Sequence, residues 1–218
     1  MKNFEKIIPI LKDKLNKELP KEKAWMEMSS RFRYEDLFPK KNNFKNASVL
    51  LCLILDKNDI VIPFIQRPKE KGPHSKQIGL PGGQFDQTKD LGFMNTALRE
   101  VEEEIGLKVE EFNVLGKLSS LYIPVSNFLV HPFVAIMNQT PEFRIDKKEV
   151  EEVLVFSLRD FLDPKNKKKQ FVTIYNSLIP KKINVPAFYI QNKIIWGATA
   201  MIMNEFLFIY NEIIDSIP

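Results

Sequence analysis

At the start of the chain, Phe4, Ile7, Ile8, Leu11 and Leu15 recur at helical spacing. That spacing lines them along one side of a helix, so the first fifteen residues are predicted to form an amphipathic helix that ends at Leu19-Pro20. Residues 20–46 are charged and without period, and read as an irregular lead-in. The runs Ala47 to Leu55 and Ile60 to Gln66, joined by the polar turn Asp56 to Asp59, predict two strands. Gly72 to Gly83 holds four glycines, two prolines and His74, which predicts a loop. A helix follows, with Met94, Ala97, Leu98, Val101 and Ile105 as its apolar stripe and Gly106 placed to end it. Val114 to Leu121 and Phe128 to Met137 predict further strands, Leu158 to Leu162 a short helix, and Ala198 to Ile214 a long one. Strands on both sides of a helix, with no internal repeat, indicate a mixed α/β (α+β) layered domain. The pattern divides the chain into a helix and lead-in over residues 1–46, packed on a principal domain over 47–218.

Composition narrows the class. The chain has 218 residues, 44% apolar and 28% charged, which suffices for a full hydrophobic core without covalent staples. The single cysteine, Cys52, lies in the apolar run Val49 to Leu53. It has no partner for an internal disulfide, and a buried reduced thiol fits a cytoplasmic protein. Charged residues interrupt Met1 to Leu15, so no signal-peptide core is expected there. The apolar run Ile194 to Met203 meets Asn204 and Glu205 too soon to span a bilayer. No membrane partner is expected.

Charge is unevenly distributed. Residues 47–163 carry thirteen Lys/Arg against eighteen Asp/Glu, whereas Pro164 to Asn204 carries seven lysines and no acid. An acidic centre flanked by basic segments suits a site that holds a cation and receives an anion, although uneven surface charge is the plainer reading. The basic residues form no aromatic-interleaved motif, which disfavours nucleic acid.

The acidic centre is concentrated in Arg99-Glu100-Val101-Glu102-Glu103-Glu104. On a helix advancing about 100° per residue, Glu100, Glu103 and Glu104 share one face. Three such carboxylates repel one another, and a cation among their oxygens relieves the repulsion. Oxygen donors favour a hard divalent cation, Mg2+ or Mn2+. A solvated acidic face is the alternative, and for three glutamates alone the more common one.

The surrounding residues weigh against that alternative. Gly82-Gly83, a loop, and then Arg99-Glu100-Val101-Glu102-Glu103-Glu104-Ile105-Gly106-Leu107 resemble the Nudix box, G-x5-E-x7-R-E-U-x-E-E-x-G-U with U apolar. The second half matches at every defined position. The loop is two residues longer than the pattern, and the acid expected eight residues before Arg99 falls on Leu91. Asp86 and Asp90 are the alternatives for that acid. Phe64-Ile65-Gln66-Arg67 and His74 to Gly83 resemble the extra signature of the coenzyme A pyrophosphatase branch, as do Leu19 to Ala24 and Ile195 to Ala200. Lys76 stands where that branch commonly has glycine.

The resemblance implies an α/β/α sandwich with a mixed sheet, in which the box forms a loop–helix–loop. It implies metal-dependent hydrolysis of coenzyme A or an acyl-CoA to 3′-phosphoadenosine 5′-phosphate and a 4′-phosphopantetheine. ADP-ribose or a dinucleotide is the alternative substrate, and a non-catalytic metabolite-binding protein the alternative class. Glu100 and Glu104, one turn apart, are the first candidates for metal ligands, with the carbonyl of Gly82 completing the shell. Glu103 is either a third ligand or the group that accepts the proton of water. Arg99 orients a glutamate by a two-pronged ion pair. Arg67, His74, Gln77 and Gly83 are the substrate-binding candidates. Glu149, Glu151 and Glu152 are unranked candidates for a base supplied by a second loop.

The remaining features divide between packing and function. His131 is expected to pack in its strand, and Lys165, Lys167, Lys168 and Lys169 to form a solvated loop. Trp196 is read as a core residue or, less favoured, a platform for a base, and Ser126-Asn127 as a loop near the pocket. The oligomeric state is open, with a homodimer one possibility.

Overall fold

Alternation along one strand sets the architecture. In β1 (Lys45–Asp56), Leu50, Leu51, Cys52, Leu53 and Ile54 are all buried, although successive side chains point to opposite faces. A strand buried on both faces must lie inside a sheet that is covered on both sides. The computed structural model describes residues 4–29, 43–68, 76–138, 141–174 and 180–217.

In chain order the helices are α1 (Phe4–Lys14), α2 (Glu22–Trp25), α3 (Phe93–Ile105), α4 (Leu158–Leu162) and α5 (Gly197–Ser216). The strands after β1 are β2 (Asp59–Gln66), β3 (Ile78–Gly79), β4 (Gly82–Gln84), β5 (Asn113–Lys117), β6 (Leu121–Ile123) and β7 (Phe128–Met137). They are followed by β8 (Glu152–Ser157), β9 (Lys167–Ile174), β10 (Lys181–Ile190) and β11 (Lys193–Trp196). The larger sheet is mixed. β1 runs parallel to β7 over ten residue pairs, Lys45↔Phe128 to Ile54↔Met137, and antiparallel to β2 and β4. β8 and β3 extend β2, and β5 and β6 pair with β7. A second, three-stranded sheet has the order β11-β10-β9.

The larger sheet splits the interior into two cores. On one face Leu50, Cys52, Ile54, Ala135 and Met137 pack against Ala97, Leu98, Val101 and Ile105 of α3. On the other, Leu51, Leu53, Phe64 and Val134 join Leu11 of α1 and Met203, Phe206 and Tyr210 of α5. The result is the expected α/β/α sandwich with a mixed sheet. Among the described residues no helix is long and apolar enough to cross a membrane.

Several local expectations are corrected. The lead-in contains α2 and a 3-10 turn, Met26–Met28, within the stretch read as irregular. Residues 118–120 divide the strand expected over 114–121 into β5 and β6. Met94 is exposed, so the stripe of α3 begins at Ala97. The lysine run is not a loop: Lys167, Lys168 and Lys169 open β9 as an edge strand, where lysines can reach solvent without disturbing the ladder.

Candidate active site and metal centre

Two glycines let a strand and a helix meet. Gly82 has φ +149°, and a Cβ there would lie 2.2 Å from the Ser48 carbonyl oxygen of β1. Only glycine therefore fits where β4 passes β1. A Cβ on Gly83 would lie 2.2 Å from Glu100 Oε2, so that carboxylate occupies the space a side chain would fill. The Gly82 amide donates to Glu104 Oε2 at 2.8 Å. β4 thus holds both carboxylates of α3 from the opposite side.

Arg99 organises the outer edge of the cluster. Its Nε and Nη2 donate to Asp90 Oδ1 and Oδ2 at 2.8 and 3.0 Å, a two-pronged ion pair. Its Nη1 donates to Glu100 Oε1 at 2.7 Å and Glu103 Oε2 at 2.8 Å. The Asp86 amide and Thr96 Oγ1 also donate to Asp90. Asp90, not Asp86, is therefore the acid that meets Arg99, while Asp86 accepts from Thr88 within its own turn. Leu91, at the position the box assigns to the acid, is 96% exposed. An aspartate one residue earlier reaches Arg99 because the longer loop turns back on itself through the Asp90 amide, which donates to the Asp86 carbonyl.

A third carboxylate comes from a distant segment. The amides of Arg144 and Asp146 donate to the Ile105 and Glu104 carbonyls at the carboxyl end of α3. Gly106 leaves that end in the left-handed conformation, φ +73°. Val150 is buried beneath α3, and the Glu151 amide donates to the Gln66 carbonyl. Glu149 is fixed between these anchors, and oxygens of Glu100, Glu104 and Glu149 lie within 4.8 Å of one another.

Burial raises the Glu104 pKa to about 8, and the neighbouring Glu100 and Glu149 charges add to the rise. Hydrogen bonding from Gly82 and the charge of Arg67 oppose it. Burial also raises Glu100, against the pull of Arg99. Hydrogen bonding to Arg99 does the reverse at Asp90, holding it well below the usual carboxylate range. Desolvated carboxylates facing one another are the environment that a hard divalent cation stabilises, so the donor set fits such an ion.

The cluster lines a cavity of about 490 Å3. Arg67, Gln77 and Gly83 line it, as do Trp196, Gly197 and Thr199 from β11 and α5. Arg67 Nη2 donates to the Gly82 carbonyl at 3.4 Å. Lys76 has φ +55°, a conformation glycine adopts without strain.

The other candidates separate by position. Glu103 is turned to Arg99 and stands outside the three-carboxylate group, and Glu102 is exposed. Glu151 accepts from Gln66 Nε2, and Glu152 pairs with Lys193. His74 lies outside the described residues. His131 stacks on Phe93 with ring centroids 3.8 Å apart and hydrogen-bonds Ser120 and Asn46. Burial lowers its pKa to about 4. Trp196 is half-buried and lines the cavity, as does Ser126, while Asn127 bonds to Tyr122 and the Asn43 carbonyl. Lys167 bonds Glu27 and Asn204, and Lys168 lies over the Tyr189 ring. Sequence reasoning missed Met28, Leu121 and Ile123 as cavity residues. Each reads as ordinary core, and no local signal separates it from its neighbours.

Known proteins share these features. The NUDIX domain family model matches residues 45–176. The chain is 29% identical to the Nudix hydrolase NudL of Pectobacterium atrosepticum over 164 residues, covering 74% of this chain and 80% of that one. It is 28% identical to the peroxisomal coenzyme A diphosphatase ndx-8 of Caenorhabditis elegans over 130 residues, 59% of this chain and 55% of that protein. Among solved structures, a MutT/nudix family protein from Enterococcus faecalis superposes with a TM-score of 0.52 at 16% identity, covering 97% of this chain and 74% of that one.

Proposed function

The chain belongs to the NUDIX domain family and is a pyrophosphohydrolase, and from that premise we propose that it cleaves the diphosphate of coenzyme A or an acyl-CoA. The products are 3′-phosphoadenosine 5′-phosphate and the corresponding 4′-phosphopantetheine. One observation carries the reading. Arg67 and Gln77 from one signature segment and Trp196 to Thr199 from another, over a hundred residues apart, line the same cavity as the carboxylates. The resemblance to a coenzyme A diphosphatase supports it.

Glu100 and Glu104, with the Gly82 carbonyl, hold Mg2+ or Mn2+ in this reading. Such a cation, when bound, neutralises diphosphate charge and acidifies water. Arg67, which lines the same cavity, supplies a further positive charge. Glu149, the exposed member of the group, accepts the proton of the attacking water at a carboxylate oxygen. Water adds to one phosphorus as its bridging P–O bond breaks, leaving two phosphomonoesters. Arg99 fixes the Glu100 rotamer and keeps Glu103 outside the inner group. The lone, buried Cys52 thiol supports placing the enzyme in the cytoplasm.

The test is incubation with coenzyme A, ADP-ribose and a dinucleoside polyphosphate, each with Mn2+ or Mg2+, and chromatography of the products. Release of 3′-phosphoadenosine 5′-phosphate at the highest kcat/KM of the panel is expected. Preference for ADP-ribose overturns the coenzyme A assignment.

A further inference from the structure

Beyond the carboxylates, the cavity changes character. Its remaining wall includes Met28, Leu121, Val130, Ile174, Met201 and Ile202, all buried and all apolar. Part of the lining therefore suits a charged diphosphate and cation, and part consists of side chains that gain from excluding water.

Met28 differs from the rest of that wall in origin. It belongs to the lead-in, outside the family-matched residues 45–176, and two adjacent buried residues of α5 hold the lead-in there. Glu205 is fully buried, and its Oε1 accepts from the Lys21 amide at 3.1 Å. Its Oε2 accepts from Trp25 Nε1 at 3.4 Å and the Ser119 amide at 3.1 Å. Asn204 Nδ2 donates to the Ala24 carbonyl at 2.6 Å, and Lys167 joins Asn204 to Glu27. Met201 and Ile202, one turn earlier on α5, line the same cavity as Met28. Buried polar groups are costly unless satisfied, and here several of their bonds go to the short segment Lys21 to Glu27, directly before the cavity residues Met28 and Ser29.

We propose that the cavity takes a diphosphate whose unreacting arm ends in an apolar chain, and that Met28, positioned by Asn204 and Glu205, sets the length of that chain. This rests on the coenzyme A reading, in which the chain is the acyl group of a thioester. Met28 is then a specificity-determining residue, and Glu205 a positioning residue that acts through it.

Calorimetric titration of the full chain with coenzyme A and its butyryl, hexanoyl, octanoyl and decanoyl thioesters, in EDTA and in Ca2+, tests the proposal. Full burial contributes about fourfold in affinity per methylene at most, so a gain of at least about tenfold from coenzyme A to the best thioester is expected. Met28→Ala moves the optimum to longer chains and Met28→Trp to shorter ones. Glu205→Gln lowers the thioester-to-coenzyme A affinity ratio, whereas a general loss of structure lowers both affinities together. Trp25→Phe, which removes the Nε1 hydrogen bond to Glu205 together with part of a buried ring, gives the same direction if Glu205→Gln fails to fold. Equal affinity for coenzyme A and every thioester overturns the proposal, as does an optimum that neither Met28 variant moves. Failure of the substrate reading alone has a different signature, tail-dependent binding with no cleavage on adding Mn2+.

Discussion

Arg99 and Asp90 are joined by two near-parallel hydrogen bonds of 2.8 and 3.0 Å, and through them the loop before α3 is tied to the metal-site face of that helix. The Asp90 side chain is almost wholly buried and that of Arg99 largely so. Removing the carboxylate leaves a desolvated guanidinium that pulls harder on Glu100 and Glu103. Asp90→Asn is expected to cost about 2–3 kcal/mol in urea unfolding and at least about tenfold in turnover. The depressed Asp90 pKa makes its contribution complete above the unfolded carboxylate range and lost as pH falls through the folded value. The variant therefore also loses stability less steeply in acid. Leu91→Ala, on the exposed neighbour, is expected to stay within about 0.5 kcal/mol of the parent.

Glu149, Glu103 and Glu102 are expected to rank by position. Glu149→Gln should lower kcat at least about a hundredfold with the folded state intact by circular dichroism. Glu103→Gln, outside the inner group, should cost about tenfold or less, and Glu102→Gln nothing measurable. Equal losses for Glu102 and Glu149 in steady-state kinetics contradict this order.

A methyl group on Gly83 tests the contact between β4 and α3. The new carbon meets the flexible Glu100 carboxylate, not backbone, so Gly83→Ala should fold while displacing that carboxylate. Turnover should fall by more than about tenfold and the metal concentration needed for half-maximal activity should rise. Gly82→Ala meets the Ser48 carbonyl instead, and a loss of about 3 kcal/mol or more is expected in thermal unfolding.

His131 gives the fold its own acid dependence. Its folded pKa of about 4 lies below the ordinary histidine value of 6.5, so the unfolded chain binds the extra proton first. Its contribution is complete above pH 6.5, is lost as pH falls toward 4 and is constant below that. After allowance for partial exposure the change is on the order of 1 kcal/mol. Denaturation of His131→Gln across this window should show a flatter profile, and a slope equal to the parent's sinks the assignment.

Local periodicity makes α1, α3, α4 and α5 and the strands β1, β2 and β7 legible, whereas no strand is expected from it over β8, β10 or β11. The stripe Ala97, Leu98, Val101 and Ile105 is both the signal for α3 and the surface it buries. β9 was hidden because Lys167 to Lys169 interrupt the alternation that marks a strand, a pattern an edge position permits. Asp90 could not be chosen over Asp86 from spacing, since the choice depends on how the loop turns back on itself. Glu149 could not be ranked because its place is set by amide bonds to the far end of α3. Met28 was invisible as a cavity residue, because an apolar side chain beside Trp25 looks the same whether it meets protein or ligand.

The parallel register of β1 with β7 also governs when this protein becomes itself. Every element from β2 to β6, including both glycines and all of α3, lies in the stretch of chain that this pairing closes. Non-local parallel pairing is slow to form because the intervening chain must be ordered first. Glu149 is expected to follow, because its segment docks on the carboxyl end of α3 through Arg144 and Asp146. The three-carboxylate cluster is thus expected to be among the last features that folding assembles, so that any cation it binds stabilises a finished molecule without guiding an unfinished one.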